Sequence, residues 1–489
     1  MINIRRPIRG FSSSERYITM AFLVVAGFAL LFLAMDMMRA FQLPFWRHDA
    51  AFYLESYRLK VVNEGRWLNF FVFPAAQIIH PSIYYTLNKL LYISVFYVAF
   101  NRATQDRLIA ITIALSAVTL PSFHAQFMWP SQQILGPFIL LVYFTMLNRH
   151  NVFFLNIIAG VLLFGVINNL IFLLPLGLLI FHKPVDLRFF TCWFVSWFGG
   201  FIAGALTAYA VVFVGFGRVI QLAAWRRPEP ATTLEQFIVN VDYAVSKTFE
   251  YLLTNFSLLA LAILFFIAVL LIYNLLKAKL LGSLKSLVLI CSALLMGFMA
   301  VGLQTVPSGI KFAFRTAFPS AVMFLAVASL PYVFQKQTFV FRGLIAVGLA
   351  LVIFTGGLYG LRLKEHFIQA GTILASVVKA VEAEERIETD AFNTLTLYQL
   401  REEPWNLHDY VNSRVPRGSQ GLNSSNRWGR AFHSPTTRLV RSCHGPFDKR
   451  PKYCRELQPK LADFSCSDVV AGFCKAAILA DNEVILVIR

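Results

Sequence analysis

The stretch Ile18–Ala40, ITMAFLVVAGFALLFLAMDMMRA, decides how the rest of the chain is read. At about 1.5 Å per helical residue it is long enough to cross a hydrocarbon core of about 30 Å. It follows a basic segment, MINIRRPIRGFSSSER, which with an apolar core also resembles a secretion signal. No small-residue cleavage site follows that core, so the stretch reads as an uncleaved first span with residues 1–17 in the cytoplasm. The composition agrees. Of 489 residues 57% are hydrophobic and only 14% charged, where soluble proteins carry about 25% charged. The mean hydropathy is +0.62. Such a chain uses lipid as its solvent.

Working outward, further apolar runs fall near 83–100, 108–123, 132–147, 152–167, 169–182, 189–216, 254–276, 286–304, 317–334 and 342–361. The expectation is an α-helical polytopic membrane protein of about eleven spans. The short pair 152–167 and 169–182 reads either as two helices or as a re-entrant hairpin. With the N-terminus inside, the inner loops hold Arg102 and Arg107; Arg149; Lys183 and Arg188; Lys277, Lys279 and Lys285; and Lys336 and Arg342. Every one is short and basic, as the positive-inside rule asks. The outer segments are then 41–82, 124–131, 217–253, 305–316 and the tail 362–489. The transmembrane part is thus 18–361. The net charge of +18 is explained by these loops and by attraction to anionic head groups. Nucleic acid is not an expected partner. Gly200 and Gly204 form a GxxxG pair that reads as helix packing.

The tail carries Cys443, Cys454, Cys466 and Cys474, with spacings x10, x11 and x7. Clustered cysteines in a polar segment on the outer side fit a disulfide framework. The spacing lacks the paired C-x-x-C of zinc sites. Residues 363–387 pattern as an amphipathic helix, with Ile368, Ile373, Leu374, Val377, Val378 and Val381 on its apolar side. Glu483–Ile488 reads as a strand. A small α+β extracytoplasmic domain is expected.

Chemistry is expected outside the membrane. The stretch Trp46–Phe71, WRHDAAFYLESYRLKVVNEGRWLNFF, sets acids and bases among aromatic rings. Asp49, Tyr53 and Tyr57 share one face if it is helical. Glu64-Gly65-Arg66-Trp67 reads as a turn with an ion pair. An interfacial amphipathic helix with water-facing charges would explain the stretch as well. Against that, an idle Asp49 so near the bilayer is costly. The segment His124–Gln133, HAQFMWPSQQ, offers uncharged hydrogen-bonding groups beside Trp129, which suits sugar hydroxyls or a plain interfacial turn. Gly217–Phe256 carries Trp225-Arg226-Arg227, and either meets phosphate or forms a solvated lid. In 305–316, TVPSGIKFAFRT, Lys311 and Arg315 at i, i+4 would share a helical face and clamp an anion, unless they merely snorkel. No Walker A, G-x-S-x-G, H-E-x-x-H or Rossmann pattern is present. A nucleotide-driven pump and the common hydrolases are excluded on that ground.

His48-Asp49 just after the first span, Glu64-Gly65-Arg66-Trp67 behind it, and Arg315 followed by Pro319 in a late outer loop carry a resemblance. With about a dozen spans and a terminal outer domain, the chain resembles the GT-C glycosyltransferases. Within them it is closest to the bacterial O-antigen, serotype-converting glucosyl transferase family. The resemblance implies a multi-pass protein of a bacterial inner membrane with its active site facing the periplasm. It implies transfer of a hexose such as glucose from a polyprenyl-phosphate donor to a cell-surface glycan or lipid-linked polysaccharide. Asp49 would be the base and Glu64 a second carboxylate. Lys311, Arg315 and Arg66 would meet the donor phosphate, and His48, Tyr53, Trp129 and Gln132 the sugar or acceptor. No cofactor is implied. The family often has an acidic pair where this chain has the lone Asp49, which leaves metal binding open. A flippase and a donor synthase would act in the same pathway. Two alternatives remain: a flippase or transporter of lipid-linked sugar, and an O-antigen polymerase or ligase. A flippase should line a path with charges inside its spans, whereas here the central spans are nearly free of them and the charge gathers outside.

Overall fold

A computed structural model of the chain describes residues 13–43, 61–62, 64–72, 79–181, 185–220, 229–335, 338–385, 394–399, 439–443, 452–457, 459, 469–470, 473–474, 478–480 and 483–488. The helices are α1 (Ser13–Phe41), α2 (Pro81–Thr104), α3 (Arg107–Thr119), α4 (Pro121–Gln126), α5 (Leu135–Met146), α6 (Val152–Val166), α7 (Leu187–Phe216), α8 (Leu234–Asn255), α9 (Leu258–Lys277), α10 (Leu281–Ser308), α11 (Phe318–Leu325), α12 (Leu330–Val333), α13 (Phe339–Glu385) and α14 (Lys452–Leu457). A 3-10 helix, Asn168–Ile180, stands between α6 and α7. Among the described residues seven helical segments are long and apolar enough to cross a membrane: Glu15–Phe41, Pro81–Thr104, Leu187–Phe216, Leu258–Lys277, Leu281–Ser308, Phe314–Val333 and Phe339–Glu365. Four shorter apolar helices accompany them, Arg107–Thr119, Ser131–Met146, Val152–Val166 and Asn168–Ile180. The protein is an α-helical, multi-pass membrane protein.

Local sequence sets where these helices start. Asp106 accepts from the backbone N–H groups of Leu108 and Ile109 at the head of α3. Asp186, Thr233 and Ser257 do the same for α7, α8 and α9. Each cap satisfies donors that the first turn leaves over. Gly309 ends α10 in the left-handed region at φ +63°, and a Cβ there would lie 2.2 Å from the Glu229 carbonyl oxygen. Only glycine fits that position.

The chain divides into two compact units, Met1–Met35 with Tyr57–Gly360, and Asp36–Ser56 with Leu361–Arg489. In the first, the segment Phe314–Val333 is central, with 83% of its most apolar stretch buried, against 22% for α7. An aromatic knot fixes it. Phe123 and Phe127 stack at 4.1 Å, and Tyr92, Phe123 and Phe127 each meet Phe318 edge-on at 5.1–6.2 Å. Edge-to-face pairs add about 0.5–1.5 kcal/mol each beyond area burial. α7 turns bulky residues such as Phe198, Leu206 and Phe213 outward and seats its small face on α6. A Cβ on Gly200 would lie 2.5 Å from Asn156 O, and one on Gly204 2.8 Å from Gly160 O. The expected GxxxG packing therefore has its partner inside the same chain.

In the second unit, the C-terminal end of α1 meets α13. Asp36 and Lys364, 2% and 0% exposed, form a buried ion pair, and Arg39 meets Glu365 at 3.1 Å nearer the surface. Asp36 lies in the first apolar run and Lys364 just past the last one, 342–361, so the pair leaves the central spans as expected. α13 also runs unbroken for 47 residues through both the last apolar run and the amphipathic segment expected separately over 363–387. No proline interrupts that sequence. Strands β1 (Thr394–Gln399), β2 (Leu439–Cys443), β5 (Ile478–Ala480) and β6 (Glu483–Ile488) make a sheet of order β2-β1-β6-β5. β1 is parallel to β2 and β6, and β5 is antiparallel to β6. The two-residue strands β3 (Val469–Val470) and β4 (Phe473–Cys474) pair separately. The strand expected over Glu483–Ile488 is formed, in a run of β-favouring Val and Ile. Cys454 is buried and disulfide-bonded.

Candidate functional site

The segment 64–71 turns as its sequence suggests. Gly65 adopts φ +67° and its N–H reaches Val61 O at 2.8 Å. The turn brings Glu64 and Arg66 together at 2.6 Å, with both side chains mostly buried. Arg66 also donates to Gln132 Oε1 at 3.0 Å. Its guanidinium is thus oriented by a carboxylate and an amide, and offers an anion only its remaining N–H groups. The next turn, Trp67–Phe71, is stapled down by Asn69, whose Nδ2 donates to Gln132 O at 2.9 Å and Val166 O at 3.1 Å. The Trp67 ring lies against Gly165, where a Cβ would approach it to 2.7 Å.

The segment 121–133 is the centre of the site. Gln126 and Gln133 bond each other: Gln126 Nε2 donates to Gln133 Oε1 at 2.9 Å, and Gln133 Nε2 to Gln126 O at 2.6 Å. Asn169 Nδ2 reaches Gln126 Oε1 at 3.3 Å and Thr316 O at 3.4 Å. Asn88 Nδ2 donates to Tyr84 O at 2.8 Å and Pro130 O at 2.7 Å. Tyr85 Oη and His124 Nδ1 are 3.3 Å apart. One turn on from Tyr85, Lys89 is fully buried, with its Nζ 5.2 Å from the Tyr85 ring centre and 5.5 Å from that of Phe123. Sequence reasoning passed over Lys89, Asn69, Asn88 and Asn169. The available signal was a lysine and an amide inside an apolar run, where buried polar groups mark function by default.

The third contribution comes from 309–317. Lys311 and Arg315 do not share a helical face, contrary to expectation. Gly309 stops α10, Ala313 is extended at ψ 154°, and helical structure resumes only at Phe314–Ala317. The two cations part company. Lys311 Nζ lies 5.8 Å from the Tyr243 ring on α8. Arg315 Cζ stacks 4.2 Å over Trp129. Phe312 between them is gripped by α8, with Tyr251 Oη donating to its carbonyl at 3.1 Å. Burial, then the neighbouring Tyr243 and Glu250, push the Tyr251 hydroxyl well above its usual range despite Arg315. It therefore stays a neutral donor at physiological pH.

The structure thus gathers Glu64, Arg66, Trp129, Gln132 and Arg315 around 121–133, and turns the Lys311 ammonium toward Tyr243 of α8. His48, Asp49 and Tyr53 lie outside the described residues, as do the side chains of Cys443, Cys466 and Cys474. Among the described residues no group of three His, Cys, Asp or Glu side chains is placed to hold a metal ion. Chemically, the cluster offers neutral amides for hydroxyl groups and fixed cations for an anion. No protein-family model, curated protein or solved structure matches this chain.

Proposed function

We propose that this chain is a membrane glycosyltransferase that moves a hexose from a polyprenyl-phosphate donor to a glycan or lipid-linked polysaccharide on the outer side of a bacterial inner membrane. The observation that carries this reading is the convergence of 64–71, 121–133 and 309–317 on one buried amide cluster edged by Trp129 and Arg315. Amides beside an aromatic ring suit a sugar, and a stacked guanidinium keeps its planar edge for phosphate. In the proposed step the acceptor hydroxyl attacks the anomeric carbon and the bond from that carbon to the phosphate oxygen breaks. The phosphate leaves with the electron pair and Asp49 takes the hydroxyl proton. Arg315 and Lys89 stabilise the departing charge, Glu64 holds Arg66, and Lys311 plays a lesser part. The topology that goes with this function counts the seven long helices and four short ones as eleven crossings. The N-terminus lies inside and a C-terminal α+β domain lies outside.

The test is the glycan of cells carrying Asp49→Asn. Loss of the added sugar at normal protein level and membrane insertion is expected. Wild-type glycosylation by that variant removes Asp49 as the base. Unchanged glycans in cells lacking the whole chain remove the function.

A further inference from the structure

Three asparagines repeat one pattern around the segment 121–133. Asn69, Asn88 and Asn169 are 1%, 0% and 5% exposed. Each engages both side-chain N–H hydrogens, and each sends one of them to this segment: Asn69 to Gln132 O, Asn88 to Pro130 O, Asn169 to Gln126 Oε1. The second hydrogen goes to Val166 O, Tyr84 O and Thr316 O in turn. All six acceptors are carbonyl oxygens. Turning any of the amides over would set oxygen against oxygen, so their orientation is fixed by the network. What is left is the Oδ1 of each, and none of the three has a hydrogen-bond partner among the described residues. A buried carbonyl without a donor costs about 1–3 kcal/mol. What distinguishes these three is that each belongs to a residue bonded to the same segment.

We infer that Asn69, Asn88 and Asn169 are acceptors for the hydroxyl groups of the transferred hexose, and so select the sugar. The inference rests on the glycosyltransferase reading and adds the part of the donor that the amides read. A ligand that meets these three oxygens donates hydrogen bonds to them. A metal cation would also take carbonyl oxygens, but Arg66, Arg315 and Lys89 border the same segment, at Gln132, Trp129 and Phe123. Arg66 is already paired with Glu64, and the cationic side chains of Arg315 and Lys89 disfavour a further cation beside them. A neutral polyol meets no such opposition, and its anionic leaving group gains from those charges.

The experiment uses the full chain in nanodiscs with polyprenyl-phosphate glucose and its 2-, 3-, 4- and 6-deoxyfluoro analogues. Fluorine keeps the size of a hydroxyl but cannot donate. Binding is read by thermal shift without acceptor, and transfer is read separately. At least one fluorine substitution should weaken wild-type binding by about tenfold or more, as expected where a site is built to hydrogen-bond a hydroxyl. In Asn69→Ala, Asn88→Ala or Asn169→Ala the same substitution should cost less than about twofold, because the partner is already gone. The series on the wild-type chain stands alone if a variant does not fold. Binding indifferent to every fluorine overturns the inference and leaves water as the occupant, and transfer from the unmodified donor in the same nanodiscs leaves the glycosyltransferase reading intact. Hydroxyl-dependent binding without transfer keeps the inference and removes that reading. No binding of any polyprenyl-phosphate hexose removes both. Stabilisation of the wild type, but not of Asn88→Ala, by sodium or calcium ions alone overturns the inference in favour of a cation site.

Discussion

The ion pair of α1 with α13 and the amide cluster around 121–133 are equally buried, yet the first sets opposite charges against each other and the second keeps acceptors over. Asp36 and Lys364 cancel each other's charge within the protein. In the amide cluster both side-chain N–H groups of Asn69, Asn88 and Asn169 are engaged, and their three carbonyl oxygens have no hydrogen-bond partner among the described residues. A buried ion pair is costly to break but contributes little net stability, because desolvation offsets the attraction. Its main effect is to make one pairing of α1 and α13 far better than any other. An incomplete network brings neither gain, which is why its leftover acceptors point to a ligand. Burial of polar groups in a membrane protein thus has two meanings, told apart by whether the groups are satisfied.

The contrast breaks most easily at the ion pair. Lys364→Met strands Asp36 and should cost about 3–5 kcal/mol, whereas Asp36→Leu combined with Lys364→Met should be close to neutral. Unfolding in detergent, followed by circular dichroism, reads both. Equal loss in the single and double variants would make the pair no different from ordinary packing. A smaller effect is expected in the amide cluster. Asn88→Ala removes the donor to Pro130 O and should cost about 1–3 kcal/mol. Supplying the lipid-linked donor should stabilise the wild type more than this variant, whereas the ion-pair variants should respond as the wild type does. Smaller again, Arg315→Lys keeps the charge but loses the planar stack on Trp129. A rise of about threefold to thirtyfold in donor KM, at near-constant stability, is expected from a cation–π contact of about 0.5–2 kcal/mol. Last, Lys311→Ala should change donor KM by less than about twofold, since its ammonium faces the Tyr243 ring whereas Arg315 stacks on Trp129. A larger change than that of Arg315→Lys would reverse their order.

Much of this was legible from residue order alone. The apolar runs gave the helices, and Glu64-Gly65-Arg66 gave a turn with its ion pair. The run of Val and Ile at 483–488 gave a strand. What could not be read depends on distant partners. Asp36 and Lys364 are separated by 328 positions, and Asn169 reaches 147 positions to Thr316. Periodicity carries no information about such pairs. The expected Lys311–Arg315 face failed for a local reason. The i, i+4 argument assumes a continuous helix, and Gly309 had already ended one. Lys89 was missed because the surrounding aromatic residues dominate any average over a window.

The 3-10 helix Asn168–Ile180 bears on how such chains are counted. It has 13 residues, and an α-helix of that length would fall well short of a bilayer. A 3-10 helix rises about 2.0 Å per residue rather than about 1.5 Å. Its 13 residues therefore reach about 26 Å, as far as an α-helix of about 17. Every residue from Asn169 to Ile180 is buried, so neighbouring helices shield its weaker hydrogen bonds from lipid. The ruler for a membrane segment is length in ångströms, and a tightly wound stretch makes a residue count understate it.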